Sequence, residues 1–233
     1  MTDSIRLSIS DAFRARASQI RQANGFATEI GAHAYLGRVF ADPKTEIPGV
    51  SVFPQEDAVE ADYGSDDLLM LVRVEALSEF AWPDHVAVSE AMLADMIEAF
   101  LATEWTLPFS AGDAEPAVGD TIAGATSEAT GRVAIVQVES GSWDEGDAAG
   151  TITVRGVTGR YQNGEAITGI ATISGPPAGA DPKRGYLSGV SAVKSVSYAG
   201  GSPGEAPDPG YTKCSAVAEF AVKYTMQRGN PYL

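Results

Sequence analysis

Between residues 211 and 226, apolar side chains occupy the even positions: Cys214, Ala216, Ala218, Phe220, Val222, Tyr224 and Met226. The odd positions carry Lys213, Ser215, Glu219, Lys223 and Thr225, with Val217 and Ala221 as exceptions. A period of two predicts a strand with one buried face, and such a strand needs neighbours. Residues 185–198 are the nearest candidate partner, joined to it by the Gly/Pro-rich loop 199–210. Residues 68–77 are apolar except at Arg73 and Glu75, which predicts a central strand covered on much of both faces. Residues 26–40, with Gly31 and Gly37 at turn-like positions, read as a hairpin. Residues 50–55 read as a short strand ended by Pro54, and the acidic run 58–67 as a loop.

Two stretches switch to helical spacing. The first takes Ser8 or Ser10 as its cap and places Ile9, Ala12, Phe13, Ala17 and Ile20 on one side. Arg14, Arg16, Arg21 and Gln22 fall on or near the other side, and Asn24-Gly25 supplies the stop. The second opens at Trp82-Pro83-Asp84 with Pro near the first helical position. Val86, Leu93, Met96, Ile97, Phe100 and Leu101 form its apolar stripe, away from Glu90, Asp95 and Glu98, and Leu107-Pro108 closes it.

Near Gly112 the texture changes. Residues 113–182 contain no Lys, many Gly and Thr, and short strand-like runs at 132–138 and 151–154. Gly119-Asp120-Thr121-Ile122-Ala123-Gly124 and Gly164-Glu165-Ala166-Ile167-Thr168-Gly169 share the pattern G-[DE]-x-I-x-G, 45 residues apart. Repeated turn-strand units predict a compact β module with internal pseudo-symmetry, bordered by Pro-rich linkers. The expected organisation is therefore a discontinuous core, 1–112 and 183–233, interrupted by an all-β module at 113–182. The fold class is α+β: two helices packed on a mainly antiparallel sheet, with the inserted module.

Composition adds charge to this picture. The 233 residues are 44% hydrophobic and 20% charged, as in an ordinary globular chain. The 31 acids against 16 Lys and Arg leave −15, the wrong sign for gripping nucleic-acid phosphates. No run approaches a membrane span or a signal-peptide core, so folding in a reducing cytoplasm is expected. The lone Cys214 excludes an internal disulfide and falls on an apolar strand face.

Candidate chemistry is sparse. His33 and His85 lie far apart, with no HxxxH or CxxC pairing, so no metal is assigned. Asp144, Glu145 and Asp147 crowd one turn but lack the remaining ligands of a calcium loop. No serine sits in G-x-S-x-G, and no Gly-rich piece is followed by Lys-Ser/Thr. Neither an enzyme activity nor a cofactor is expected. Trp143 and Tyr161 are the large aromatics of the module and the basis for an alternative glycan- or receptor-binding role.

Four stretches carry a family resemblance: the first helix running into Asn24-Gly25-Phe26-Ala27-Thr28-Glu29-Ile30-Gly31; Ile47-Pro48-Gly49-Val50-Ser51-Val52; the long apolar strand followed by a helix; and Ala218-Glu219-Phe220-Ala221-Val222-Lys223-Tyr224 with the tail Gly229-Asn230-Pro231-Tyr232-Leu233. In order and texture the core resembles the tail terminator proteins of long-tailed bacteriophages, and the insert resembles small β modules that decorate virion proteins. The resemblance implies a virion protein, assembled in the host cytoplasm, that forms a hexameric ring at the head-proximal end of the tail. The homo-oligomer would stop the tail tube protein from adding further and would offer its other face to a neck or head-completion protein. A neck adaptor is the alternative within the same virion. An acidic lumen would let DNA pass without sticking, and no membrane is involved. The contact residues expected are Arg38 and Phe40, at the end of the hairpin, and the apolar tail Pro231, Tyr232 and Leu233.

Overall fold

A computed structural model describes residues 4–38, 45–61, 65–80, 84–179, 184–204, 212–227 and 230–232. The chain divides into two compact units, one of Met1–Gln22, Phe26–Leu101 and Pro182–Leu233, the other of Ala23–Gly25 and Ala102–Asp181. The fold is α+β with an all-β unit. The border differs from the expected 112/113. Residues 104–112 form a strand of the β unit, so the boundary follows Leu101 at the end of the second helix.

In the first unit, helix α1 (Ile5–Ala17) is capped by Ser4, whose Oγ accepts from Leu7 N at 3.2 Å. Ser8 and Ser10, expected as caps, lie inside the helix and bond back to the carbonyls of Ser4 and Arg6. Ile5, Ile9, Phe13 and Ala17 are buried, as a helical stripe requires. Arg16, expected on the polar side, is 1% exposed. Its Nε donates to Ala99 O at 2.8 Å, Nη1 donates to Gln19 Oε1 at 3.1 Å, and the guanidinium lies 4.7 Å over the Tyr186 ring. Ala99 belongs to the last turn of helix α2 (His85–Leu101), where carbonyls lack intrahelical donors and a cation is favoured.

Residues 26–38, the described part of the expected hairpin 26–40, do not form one. A 3-10 turn (Ile30–Ala32) leads into strand β1 (His33–Leu36), which pairs in parallel with β2 (Gly49–Ala61). Asp95 on α2 fixes this segment: its carboxylate accepts from Ala27 N at 3.1 Å, Thr28 N at 2.7 Å and Thr28 Oγ1 at 2.6 Å. That contact buries Asp95, and burial pushes its carboxyl above the usual range despite the three donors. Gly31 donates to Ile20 O at 2.9 Å, and a Cβ there would sit 2.6 Å from Ala17 O, so only glycine permits the approach.

Strand β3 (Ser65–Glu79) pairs antiparallel with β2 and with β12 (Lys213–Gln227), and β12 pairs with β11 (Val193–Pro203), giving the order β1-β2-β3-β12-β11. The expected loop at 58–67 is largely strand, with Ala58 opposite Leu69 and Val59 opposite Leu68. Pairing with a long central strand overrides the weak local pattern. Pro54 stands at a bulge, where the register shifts between Pro54 and Asp57. The even positions of β12 face inward: Cys214, Ala216, Ala218, Phe220, Val222 and Tyr224 are buried. Strand β3 alternates as well. Leu68, Met70, Val72, Val74 and Ala76 are buried, whereas Leu71 is 38% exposed, so the helices cover one face and not both. Residues 185–189 form a 3-10 turn instead of strand, and β11 extends into the first part of the expected loop.

Helix α2 stops at Leu101, not at Leu107-Pro108. Its buried stripe is Ser89, Met92, Asp95, Met96, Ala99 and Phe100, rotated from the expected one, and Val86 is 56% exposed. Phe100 stacks on Phe13 with ring centroids 4.6 Å apart, and Phe220 closes the trio at 4.9 Å from Phe100 and 5.8 Å from Phe13.

The second unit is a single, partly barrel-like sheet. Its strands are β4 (Glu104–Gly112), β5 (Thr121–Ala123), β6 (Thr130–Ser140), β7 (Ala148–Thr158), β8 (Ala166–Ile167), β9 (Ala171–Ile173) and β10 (Ala178–Gly179), in the order β5-β6-β7-β4-β9-β8 with β10 on β4. A bridge between Gly124 and Ile167 joins the two ends. The sequence repeats occupy equivalent places. Gly119 N donates to Val133 O and Val133 N to Asp120 O; Gly164 N donates to Ile173 O and Ile173 N to Glu165 O. Ile122 and Ile167 are both buried, and the Asp120 and Glu165 carboxylates accept from the amides three residues back, those of Ala117 and Gln162. Glu165 also reaches across the sheet closure, accepting from Thr126 N, Ser127 N and Ser127 Oγ at 3.2, 2.9 and 2.8 Å. Burial alone would raise its carboxyl, but the donors of Gln162, Ser127 and Thr126 outweigh that and hold it below the usual value.

Two measurements check this packing. Phe220→Ala should cost about 3–5 kcal/mol in urea denaturation, because one ring of the trio has no substitute. Because the Glu165 pKa is lower in the folded than in the unfolded state, its contribution is present above the unfolded value of about 4.3 and is lost as pH falls through the folded one. Glu165→Gln should therefore lower the melting temperature near neutral pH, and calorimetry should show the deficit shrinking in acid.

Candidate functional site

The described contact residues fall into two clusters. Arg38 follows β1, with its guanidinium 4.1 Å over the Tyr35 ring and ion-paired to Glu46. Its carbonyl accepts from Ser51 Oγ on β2. The side chain is thus folded onto its own subunit while remaining 45% exposed. Phe40 and Leu233 lie outside the described residues.

The tail residues meet the start of α1. Pro231 O accepts from Ile5 N at 3.0 Å, and Tyr232 forms an antiparallel bridge with Ser4. The Tyr232 ring is left 53% exposed. These contacts border a groove of about 400 Å³ at the open end of β2, β3 and β12. Ile5, Val59, Leu68, Met226 and Pro231 supply its apolar wall, with Val59 64% exposed. Arg6 crosses it, donating to Asp57 Oδ2 and Gln55 O. Asp57 Oδ1 is buried without a hydrogen-bond partner. Tyr224 lines the groove as well, its phenol pushed up to about 12 by burial and then by the Asp57 carboxylate. The Tyr224 phenol is thus neutral near pH 7, and the Asp57 carboxylate is ion-paired to Arg6. The arrangement suits contact with an apolar surface.

Sequence reasoning named the tail residues beside this groove but not Arg6, Asp57 or Val59, which line it. Arg6 and Asp57 are 51 residues apart, and no short-range pattern links them. The other candidates have ordinary structural surroundings. His33 Nδ1 lies 3.1 Å from Pro48 O, the His85 ring lies 5.6 Å from that of Phe80, and Cys214 is buried, its thiol pushed up by that burial. Asp147 accepts from Ser142 N at 2.8 Å, closing the acidic turn. Tyr161 is buried with its hydroxyl on Ile122 O, and Trp143 stacks on Phe109 with centroids 4.9 Å apart, so these aromatics do not form a two-ring sugar platform. Among the described residues no three His, Cys, Asp or Glu converge as metal ligands, and no helix is long and apolar enough to cross a membrane. No family model matches the chain, and no curated protein matches it.

The Asp57 charge is testable through Tyr224. In Asp57→Asn, Tyr224 should ionise at lower pH than in the wild type, yet still above the free-tyrosine value of about 10 because burial persists. Tyr-labelled NMR titration of the two proteins checks the order.

Proposed function

We propose that this chain is a ring-forming structural protein of a long-tailed phage virion, of the tail terminator kind. The observation that carries the reading is a core that closes independently of its insert. Phe13, Phe100 and Phe220 join α1, α2 and β12 from both sides of the interrupted stretch. Helix, paired strands, helix, insert and final strand pair follow one another in the order of the stretches that carry the resemblance, although the first stretch runs into a strand paired in parallel and not into a hairpin.

Such a protein works without covalent chemistry. A hexamer closes when a heterologous contact repeats through a rotation that returns to its start. One face of the ring complements the last ring of tail tube protein. The other must fail to reproduce the growing face of the tube, and so serves a neck or head-completion protein. The exposed Tyr232 and Val59 beside the chain-end groove supply apolar contact for such a neighbour. The net charge of −15 disfavours adhesion of DNA passing through the lumen.

The test is to add the purified protein to polymerising tail tube protein of the same phage and image the product by electron microscopy. The expected outcome is a sixfold ring at one end of each tube, with mean tube length falling as protein is added. Tubes of unchanged length with bare ends would refute the assignment.

A further inference from the structure

The core sheet has one face beneath the helices and a second, outer face of different character. Among the described residues, besides neighbouring strands, the elements that pack closely on β3 and β12 are α2 and the 3-10 turn at Ile30–Ala32, both on the inner side. Over β2, the Arg38 carbonyl reaches the fully buried Ser51. Among the described residues the open zone therefore begins at β3.

Alternation and register define that zone. Leu69, Leu71 and Leu77 of β3 stand opposite Lys223, Ala221 and Ser215 of β12. Leu71 is the most solvent-accessible of these aliphatic positions, at 38%. Most of its charges lie beside an opposite one. Arg73 faces Glu219 across the strands and bonds Glu75 Oε1 at 2.8 Å; Lys213 faces Glu79; Lys194 of β11 holds Asp67 at 2.7 Å. That hydrogen bond from Lys194 is the first reason the Asp67 carboxyl lies below its usual value. With Lys223, the zone carries four acids and four bases, in a chain with 31 acids and 16 bases.

We infer that the outer face of β3 and β12 is one side of a heterologous contact between copies of this chain, seated against a different surface of the next copy. Two chains of −15 each repel wherever their acidic surfaces meet. A neutral face, with aliphatic side chains between paired charges, removes that repulsion and leaves apolar area to bury. Each strand has 15 residues, so the paired strands offer about 50 Å by 10 Å, roughly 500 Å² per copy, at the low end of specific interfaces. A contact of this size belongs with the weak, transient ones and is strengthened when several copies close on one another. The choice of a second copy as occupant rests on the ring reading above; the charge balance supports it separately.

The experiment is sedimentation velocity of the full chain from about 5 to 500 µM, the range in which a weak interface populates. The proteins compared are wild type, Leu71→Glu, Arg73→Glu and the control Val86→Glu on the helix layer, each checked for fold by circular dichroism. Wild type and Val86→Glu should associate with rising concentration, while a folded Leu71→Glu or Arg73→Glu shifts the midpoint at least tenfold upward. Arg73→Glu keeps the test decisive should Leu71→Glu fail to fold. Association unchanged in a folded variant overturns the inference, and the tube-capping assay then tells whether the ring reading survives. A wild type monomeric throughout the range also overturns it, and rings on tubes in that case would preserve the terminator assignment.

Discussion

The contact on which the core depends is the meeting of Phe13, Phe100 and Phe220. Each ring belongs to a different element, and two of those elements precede the β unit while the third follows it. An aromatic trio buries a large apolar area with a geometry that few other side chains reproduce. The three rings bring α1, α2 and β12 together, and the rest of the inner face of the sheet fills in around them. Arg16 and Asp95 complete the arrangement with polar ties, one to the last turn of α2 and one from α2 to the segment beyond α1. Both are charged groups at low exposure with their partners in place, the condition under which burial of charge is tolerated.

The β unit has a separate interior, built from Leu107, Phe109, Ile152, Val154, Ile173 and their neighbours. Its two G-[DE]-x-I-x-G phrases do the same structural work twice: a glycine at positive φ turns the chain, an acid accepts an amide three residues back, and an isoleucine enters the interior. They differ where Glu165 is one methylene longer than Asp120 and also gathers the amides of Thr126 and Ser127. A unit with its own core and hydrogen-bond closure can be inserted without rebuilding its host, because the host need supply only two chain ends.

The outer surfaces differ in charge. The chain as a whole is acidic, yet on the open side of β3 and β12, with Lys194 of β11, acids and bases are equal in number. The chain-end groove is different again, apolar with one ion pair across it. In the ring proposed above, a subunit would need both kinds of surface: charge that repels in general, and limited neutral or apolar zones that do not.

Periodicity determined a good deal by itself. The inward face of β12 follows from its alternation, because a strand has a period of two whatever it pairs with, and the two helices follow from their spacing. The repeats announced a β unit because identical turn chemistry at identical offsets demands similar backbone. Tertiary structure decided what depends on residues far apart. The parallel pairing of β1, the border at Leu101, the rotation of the α2 stripe toward Asp95 and the burial of Arg16 all come from partners more than 15 residues away. The acidic stretch near residue 60 became strand because β3 offered a ladder, and Leu71 stayed partly exposed because both helices chose the other face. The Arg6–Asp57 pair in the groove was illegible for the same reason. Local pattern records which side of an element is apolar, whereas the identity of what lies against that side is set by how the whole chain closes.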